Sequence, residues 1–369
     1  MSGEDQPVFT NSQLLGQSVN ILPSLGNGPF DVGSLLSDTT RVISISKSTK
    51  IVQANNDKKI TIPNDVNCTV LNNSSSSVLV VDSGHTISNS WSVNASASGS
   101  YSGVSLDASA SYSFGTSLSQ SNYYGFFGFE YSSFTLTLQK ATIRNKSNVD
   151  PQLLADAATL PEWKAWNDGT YRPDKDTYDK YMEFFDSWGT HLITHCHFGA
   201  RFSAKVEIGK EKCESKESFE TNLKAEFSGV ASIEAGAKKN KEYESYRNSR
   251  KVDAYVKGGD QGLAAVSERR PQDSDDYNAW AKSITNETTL APVRLALTNM
   301  AEMLRKVAKT DEERKAAKNL SNAFAWLAKF QRIDGTVFFG ALPRDTQKYE
   351  MYITAPPGIL CEIREAKQQ

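Results

Sequence analysis

Three of the four histidines of this chain fall close together, as His191, His195 and His197, with Cys196 between the last two. Imidazole and thiolate groups are zinc ligands, and a strand would carry the three rings on one face. The segment lacks the glutamate of a His-Glu-x-x-His helix, so metalloprotease chemistry is not written there. The competing reading is structural: His191 hydrogen-bonds inside a core corner and the other two line a sheet face. No serine nucleophile elbow, Walker loop or EF-hand loop occurs elsewhere. Gly26, Gly28 and Gly33 have the wrong spacing for a dinucleotide loop, and no apolar strand precedes them. Paired carboxylates such as Asp275-Asp276 read as solvated loop charge. The residues therefore predict no catalytic residue, no cofactor site, no cofactor and no resident metal: a protein that is not an enzyme.

The elements around the histidines are legible from spacing. Tyr178, Tyr181, Met182 and Phe185 recur at helical intervals, and Gly189 follows Trp188 where a helix would be capped. Residues 192–209 then read as a strand. With 369 residues, 38% hydrophobic and 23% charged, the chain has the composition of a folded globular protein. A net charge of −2 supplies no global field for nucleic acid. No run approaches the ~20 apolar residues of a membrane-spanning helix. The first residues carry neither a basic nor an apolar signal region. Cys68, Cys196, Cys213 and Cys361 are far apart and read as reduced thiols.

Two stretches flanking the histidines are unusual. In the first, Trp91, Val93, Ala95, Ala97, Gly99 and Tyr101 alternate with serines and an asparagine. After Ser102-Gly103 the parity flips, and Val104, Leu106, Ala108, Ala110, Tyr112 and Phe114 become the apolar set. Asp107 is the only charge between Asp82 and Glu130. A parity change is what a turn produces, and two strands of about ten residues match a membrane hairpin with an aromatic girdle at Trp91, Tyr112 and Phe114. A serine-rich loop or an edge hairpin of a soluble sheet is the alternative. In the second stretch, Phe219, Thr221, Leu223, Ala225, Phe227, Gly229, Ala231, Ile233, Ala235 and Ala237 alternate with a set of mostly Glu, Asn, Lys and Ser that Val230 breaks. This alternation is too long for one ordinary strand and predicts a hairpin with its tip near Ser228-Gly229. Its Ala, Glu and Lys content favours helix, so pattern and propensity disagree.

The remaining pattern predicts short strands over 42–45, 60–62 and 78–81, separated by Asn/Asp/Ser clusters, and a strand over 126–143. It further predicts a helix over 151–166, a strand over 250–260, helices over 277–284, 293–307 and 311–331, and a terminal hairpin from 336–341 and 349–353.

Trp188-Gly189-Thr190-His191, six residues and Gly199 resemble the signature of the membrane attack complex/perforin (MACPF) family. Leu192 stands where the family carries an aromatic, and Ala200 where it carries a second Gly. Gly26, Gly28, Phe30 and Asp31 are similar to the opening of many such domains, with Pro29 intervening. The resemblance spans residues 20–335. It implies an α+β fold: a bent, twisted four-stranded antiparallel sheet flanked by helices and two membrane-hairpin clusters. The division that follows is a lead-in over 1–25 draped on the surface, a pore-forming domain over 26–335, and a short β extension over 336–369. Hairpin clusters fall near 85–124 and 210–250. Gly258 and Gly259 would sit at a hinge in the fourth strand, and Trp188–His191 at a corner. By the same likeness, residues 217–242 would be helical in the monomer, and 88–120, poor in helix formers, only partly so. The implied function is that of a perforin-like pore-forming toxin, released as a soluble monomer. It would form a homo-oligomeric ring or arc on a target lipid membrane, with a separate membrane-recognition protein as a further candidate partner. The lipid-facing sets would be Trp91–Phe114 and Phe219–Ala237 as enumerated, without Gly99, Thr221 and Gly229. A non-lytic MACPF protein of adhesion, signalling or immunity is the alternative.

Overall fold

The computed structural model describes residues 7–20, 22, 36–54, 58–81, 100–105, 121–165, 173–227, 241–260, 262–264, 279–281, 283–284, 290–329, 349–351 and 363–365. Of the expected hairpin residues, Trp91, Val93, Ala95, Ala97, Leu106, Ala108, Ala110, Tyr112, Phe114, Ala231, Ile233, Ala235 and Ala237 lie outside the described residues, as do residues 336–341.

The strands are β1 (Gln17–Val19), β2 (Thr39–Arg41), β3 (Thr49–Gln53), β4 (Lys59–Pro63), β5 (Val66–Val81), β6 (Ser100–Ser105), β7 (Asn122–Leu138), β8 (His191–Gly209), β9 (Lys251–Lys257), β10 (Ala291–Asn299), β11 (Tyr349–Met351) and β12 (Ile363–Glu365). Among the described residues the α-helices of five residues or more are α1 (Lys140–Arg144), α2 (Pro151–Thr159), α3 (Lys175–Trp188), α4 (Lys216–Phe227), α5 (Lys241–Ser249), α6 (Met300–Val307) and α7 (Asp311–Lys329).

Among the described residues, eight strands form one antiparallel sheet. Its long columns are β5, β7 and β8 in that order, then β9 and β10, which occupy the far edge of β8 one after the other. β6 pairs with the outer edge of β10, and β1 pairs with both β2 and the start of β8. The sheet is thus wider than four strands, although its long columns are four.

Two hydrophobic clusters lie along the sheet. One gathers Phe134, Leu136, Phe198, Leu295 and Leu297 with Tyr181 and Phe185 of α3 and Leu304 of α6. The other packs Phe127, Phe129, Phe202, Ala204, Val206 and Ile208 against Phe219, Leu223 and Phe227 of α4, Tyr246 of α5, and Trp280.

Several sequence expectations are corrected. The stretch 293–307 is not one helix. Val293, Leu295 and Leu297 alternate inward as β10, and the Asn299 side chain then caps α6 by accepting from the Ala301 N–H at 2.8 Å. β5 runs through Asn72–Ser77, which had the composition of a loop. Ser74–Ser77 pair with Tyr131–Gly128, and the side chains of Ser74, Ser75 and Ser76 are exposed. The expected surface lead-in contributes β1, where Val19 is fully buried opposite His191. β7 begins at Asn122, inside the expected first cluster, and ends at Leu138 before α1. α2 stops at Thr159 rather than 166. β11 pairs with β12, Tyr349 opposite Glu365.

Candidate membrane-insertion machinery

The corner is assembled around the end of α3. Its N-terminus is capped by Asp174, which accepts from the Thr177 N–H at 2.8 Å, and its C-terminus by Gly189 at φ +71°. Trp188 Nε1 donates to Asp156 Oδ2 at 2.8 Å, tying α3 to α2. The Thr190 N–H donates to the Val19 carbonyl at 2.8 Å, so β1 clamps the turn from outside. His191 is fully buried. Its Nδ1 lies 2.9 Å from Thr190 Oγ1, and its ring meets Phe324 edge-on at 5.0 Å. Burial pushes its pKa down to about 3, so the ring is neutral. His195 and His197 are half-buried on β8, and burial lowers both, with Arg294 adding to the effect at His197. Among the described residues no three His, Cys, Asp or Glu side chains converge to hold a metal. Burial also pushes the Cys196 thiol up.

A row of irregularities crosses the sheet at one level. Asn73 of β5, Ser132 of β7, Gly199 of β8 and Ala291 of β10 are successive register partners. Beside them β5 shifts register between Val70 and Asn73, with Asn72 at φ 46°, and β7 shifts between Ser132 and Phe134. The far column is interrupted at the same level: β9 ends at Lys257, and Gly258 and Gly259 both sit at φ +70°. A Cβ on Gly199 would fall 1.7 Å from the Tyr131 carbonyl oxygen, and one on Gly258 would fall 2.4 Å from the Gly199 carbonyl oxygen. The signature glycine and Gly258 are therefore one feature, a close backbone contact where bulges on neighbouring strands meet, whereas Gly259 approaches the Trp280 side chain. Charged side chains gather beside it: Arg294 reaches Glu130 at 3.1 Å, Ser132 Oγ donates to Glu130 at 3.1 Å, and Arg201 is the cross-strand partner of Glu130.

Above this row, the alternating second segment is helical as far as it is described. Phe219, Leu223 and Phe227 line one face of α4 and are buried against β7 and β8. Phe127 stacks on Phe227 at 4.5 Å, and Tyr123 on Phe219 at 5.9 Å. At about 1.5–3 kcal/mol per buried large side chain, these three hold α4 down firmly. Ala225 is half-buried.

The other anchor is polar. Glu226 and Arg250 form an ion pair with side chains 4% and 3% exposed. Arg250 Nε lies 2.9 Å from both carboxylate oxygens, Arg250 Nη2 donates as well, and Tyr246 Oη donates at 2.6 Å. The arginine also stacks on the Tyr246 ring at 5.5 Å. Burial, followed by the Glu226 charge, raises the Tyr246 pKa well above its ordinary value. Removing one partner from such a pair leaves a buried charge uncompensated, a cost of about 3–5 kcal/mol. Sequence reading missed this pair, because Glu226 fell in the polar set of the alternating segment and Arg250 lay beyond it, at the start of the expected strand over 250–260. Its only signal was an acid and a base within stretches of strong helix formers.

The MAC/Perforin domain family model matches residues 6–334, and the chain belongs to that family. No curated protein matches the sequence. The fold is similar to that of GNIP1Aa from Chromobacterium piscinae, with TM-score 0.59 and 15% identity over 86% of this chain and 56% of that one. This chain thus spans little more than half the length of that protein. Looser likenesses are to a MAC/Perforin-domain protein from Bacteroides thetaiotaomicron, with TM-score 0.43 and 13% identity over 87% of this chain and 62% of that one, and to pneumolysin, with TM-score 0.30 and 12% identity over 63% and 40%. Among the described residues no helix is long and apolar enough to cross a membrane, which says nothing of a β-barrel.

Proposed function

We propose that this MACPF protein is a pore former that assembles side by side on a target membrane and extends two β-hairpins per subunit into a shared barrel. A closed barrel satisfies every backbone N–H and C=O in lipid, which a lone hairpin cannot, so insertion follows oligomerisation.

The observation that carries the reading is register. β5 pairs with β7 up to Val81 opposite Tyr124. Continued without a shift, that ladder brings Ser102 opposite Gly103, where the apolar parity flips in the sequence. β8 pairs with β9 up to Glu207 opposite Lys251. Continued likewise, it centres the turn on Gly229, where the second tip is expected. β7 and β8 end with Asn122 opposite Gly209, and that register would set Ser102 level with Gly229. The two hairpins would thus be of equal reach. The same registers would set Trp91 opposite Phe114, Tyr112 beside Phe219, Ala108 beside Leu223, and Ala225 opposite Ile233. All four apolar sets would fall on one face. Three strand registers, none of which includes a residue of the alternating stretches 91–114 and 219–237, support turns inferred from amino-acid pattern alone.

In the closed chain, Ser100–Ser105 instead pairs with β10 and α4 lies on the sheet, so both segments must leave these positions. The glycine contact at Gly199 and Gly258 is the natural place for the sheet to change its bend. Among the described residues β5 pairs only with β7, and an edge strand of this kind is where a neighbouring subunit would add its own.

The test is dye release from liposomes of varied lipid composition, with electron microscopy for rings or arcs. Wild type should release dye and form assemblies. Ala225→Asp should remain folded and assemble, yet lose leakage at least about tenfold, because a carboxylate facing lipid near the midplane is penalised in every subunit of the assembly, each time by less than the ~2–4 kcal/mol of an arginine or lysine there. Leu223 is a poorer probe, since it is fully buried in the closed form. Absence of leakage and assembly on every membrane, with or without extracts that could supply a recognition protein, would reject the reading in favour of a non-lytic role.

A further inference from the structure

We propose that the Glu226–Arg250 pair, with Tyr246, is a latch that keeps α4 and α5 closed on the sheet and must break before the second hairpin can extend. The proposal rests on the pore-forming reading above. Its first support is position. Glu226 lies in the last turn of α4, whereas Arg250 directly precedes β9, whose pairing with β8 begins at Lys251. One partner belongs to the segment that moves, and the other is fixed to the sheet that stays.

The second support is exclusivity. In the continued β8–β9 register, Arg250 falls opposite Ile208 and Glu226 opposite Ser232. The two would then stand roughly 60 Å apart along the strands at ~3.3 Å per residue. No extended form can keep this contact, so its whole contribution belongs to the closed state.

The third support is geometry. The guanidinium addresses both carboxylate oxygens, the Tyr246 hydroxyl donates to the same carboxylate, and both charged side chains are almost fully buried. A fork of this kind is lost even when charge is conserved. The pair is also reinforced at the other end of the two helices, where Ser218 Oγ donates to Glu242. When the hairpin extends, Glu226 joins the even-numbered polar set and its carboxylate returns to water. Loss of one partner therefore raises the closed state without touching the extended one.

Hydrogen exchange of the soluble monomer tests the latch without any membrane. In Glu226→Gln the amides of α4 should lose protection by about tenfold or more, while those of β7 and β8 below the glycine row keep theirs. Tyr246→Phe, which removes a single donor, should show the same pattern at about two- to threefold. On liposomes the lag before dye release should shorten in the same order. Unchanged exchange in α4 for both variants, or an equal loss in α4, β7 and β8, would overturn the proposal, because the pair would then be an ordinary contact of the fold. If neither wild type nor variants release dye, the pore-forming reading fails, while the exchange pattern still decides whether the latch exists.

Discussion

His191 shows how a signature residue can be structural. It sits in a dry corner formed by β1, β8 and α7, and takes up no proton until about pH 3. The unfolded chain binds that proton near 6.5. Between those values the unfolded state holds more protons, so stability falls as pH falls, by up to ~1.4 kcal/mol per pH unit from this group. His191→Gln should be less stable than wild type at pH 7 but show a shallower decline between pH 6.5 and 4 in urea titrations. Identical slopes would mean that the ring is not the dry, neutral group described. Residues of the second segment carry two codes at once. Phe219, Leu223 and Phe227 are four apart, a spacing that keeps side chains on one helical face and also on one strand face. This is why the strand pattern was legible there although α4 is a helix. Glu226 was not legible as a buried anchor, because a polar residue in an alternating pattern carries no mark of its partner 24 positions away.

Among elements, those with clear periodicity and caps were legible: α3 with its Gly189 stop, β8, β9 and α7. The ones missed were set by tertiary contact. β5 passes through six Asn and Ser residues because β7 supplies its ladder partner. β10 resembled helix because Leu295 and Leu297 run directly into the apolar stripe of α6, and only the Asn299 cap separates the two. The glycine row explains what the signature could not: Gly199 is required by the bulge of β7, not by its own strand. Gly199→Ala should lower stability by at least about 2 kcal/mol, since the added Cβ overlaps the Tyr131 carbonyl and either the backbone or the bulge must move. Gly262→Ala, whose Cβ among the described residues would meet only the end of the Asp260 side chain at 3.1 Å, should cost less than about 1 kcal/mol. Equal urea midpoints for the two variants would contradict the close contact.

At the scale of the whole molecule, the closed α+β form and the proposed extended form share their registers. Strands and tips agree because the hairpins would be continuations of β5–β7 and β8–β9 rather than new structures. The folded sheet would then act as the template that sets which side chains meet lipid. The closed form keeps the second segment down through the apolar stripe of α4 and the Glu226–Arg250 pair, and engages the first through β6 on β10. The measurement that tests this most directly is a scan with a polarity-sensitive fluorophore on single cysteines from 219 to 237, in a background lacking the native thiols. After assembly on liposomes, odd positions should shift to apolar emission and even positions should remain aqueous, with the alternation restarting in the same parity beyond Gly229. Emission without a two-residue period, or apolar emission from the even positions, would contradict the account.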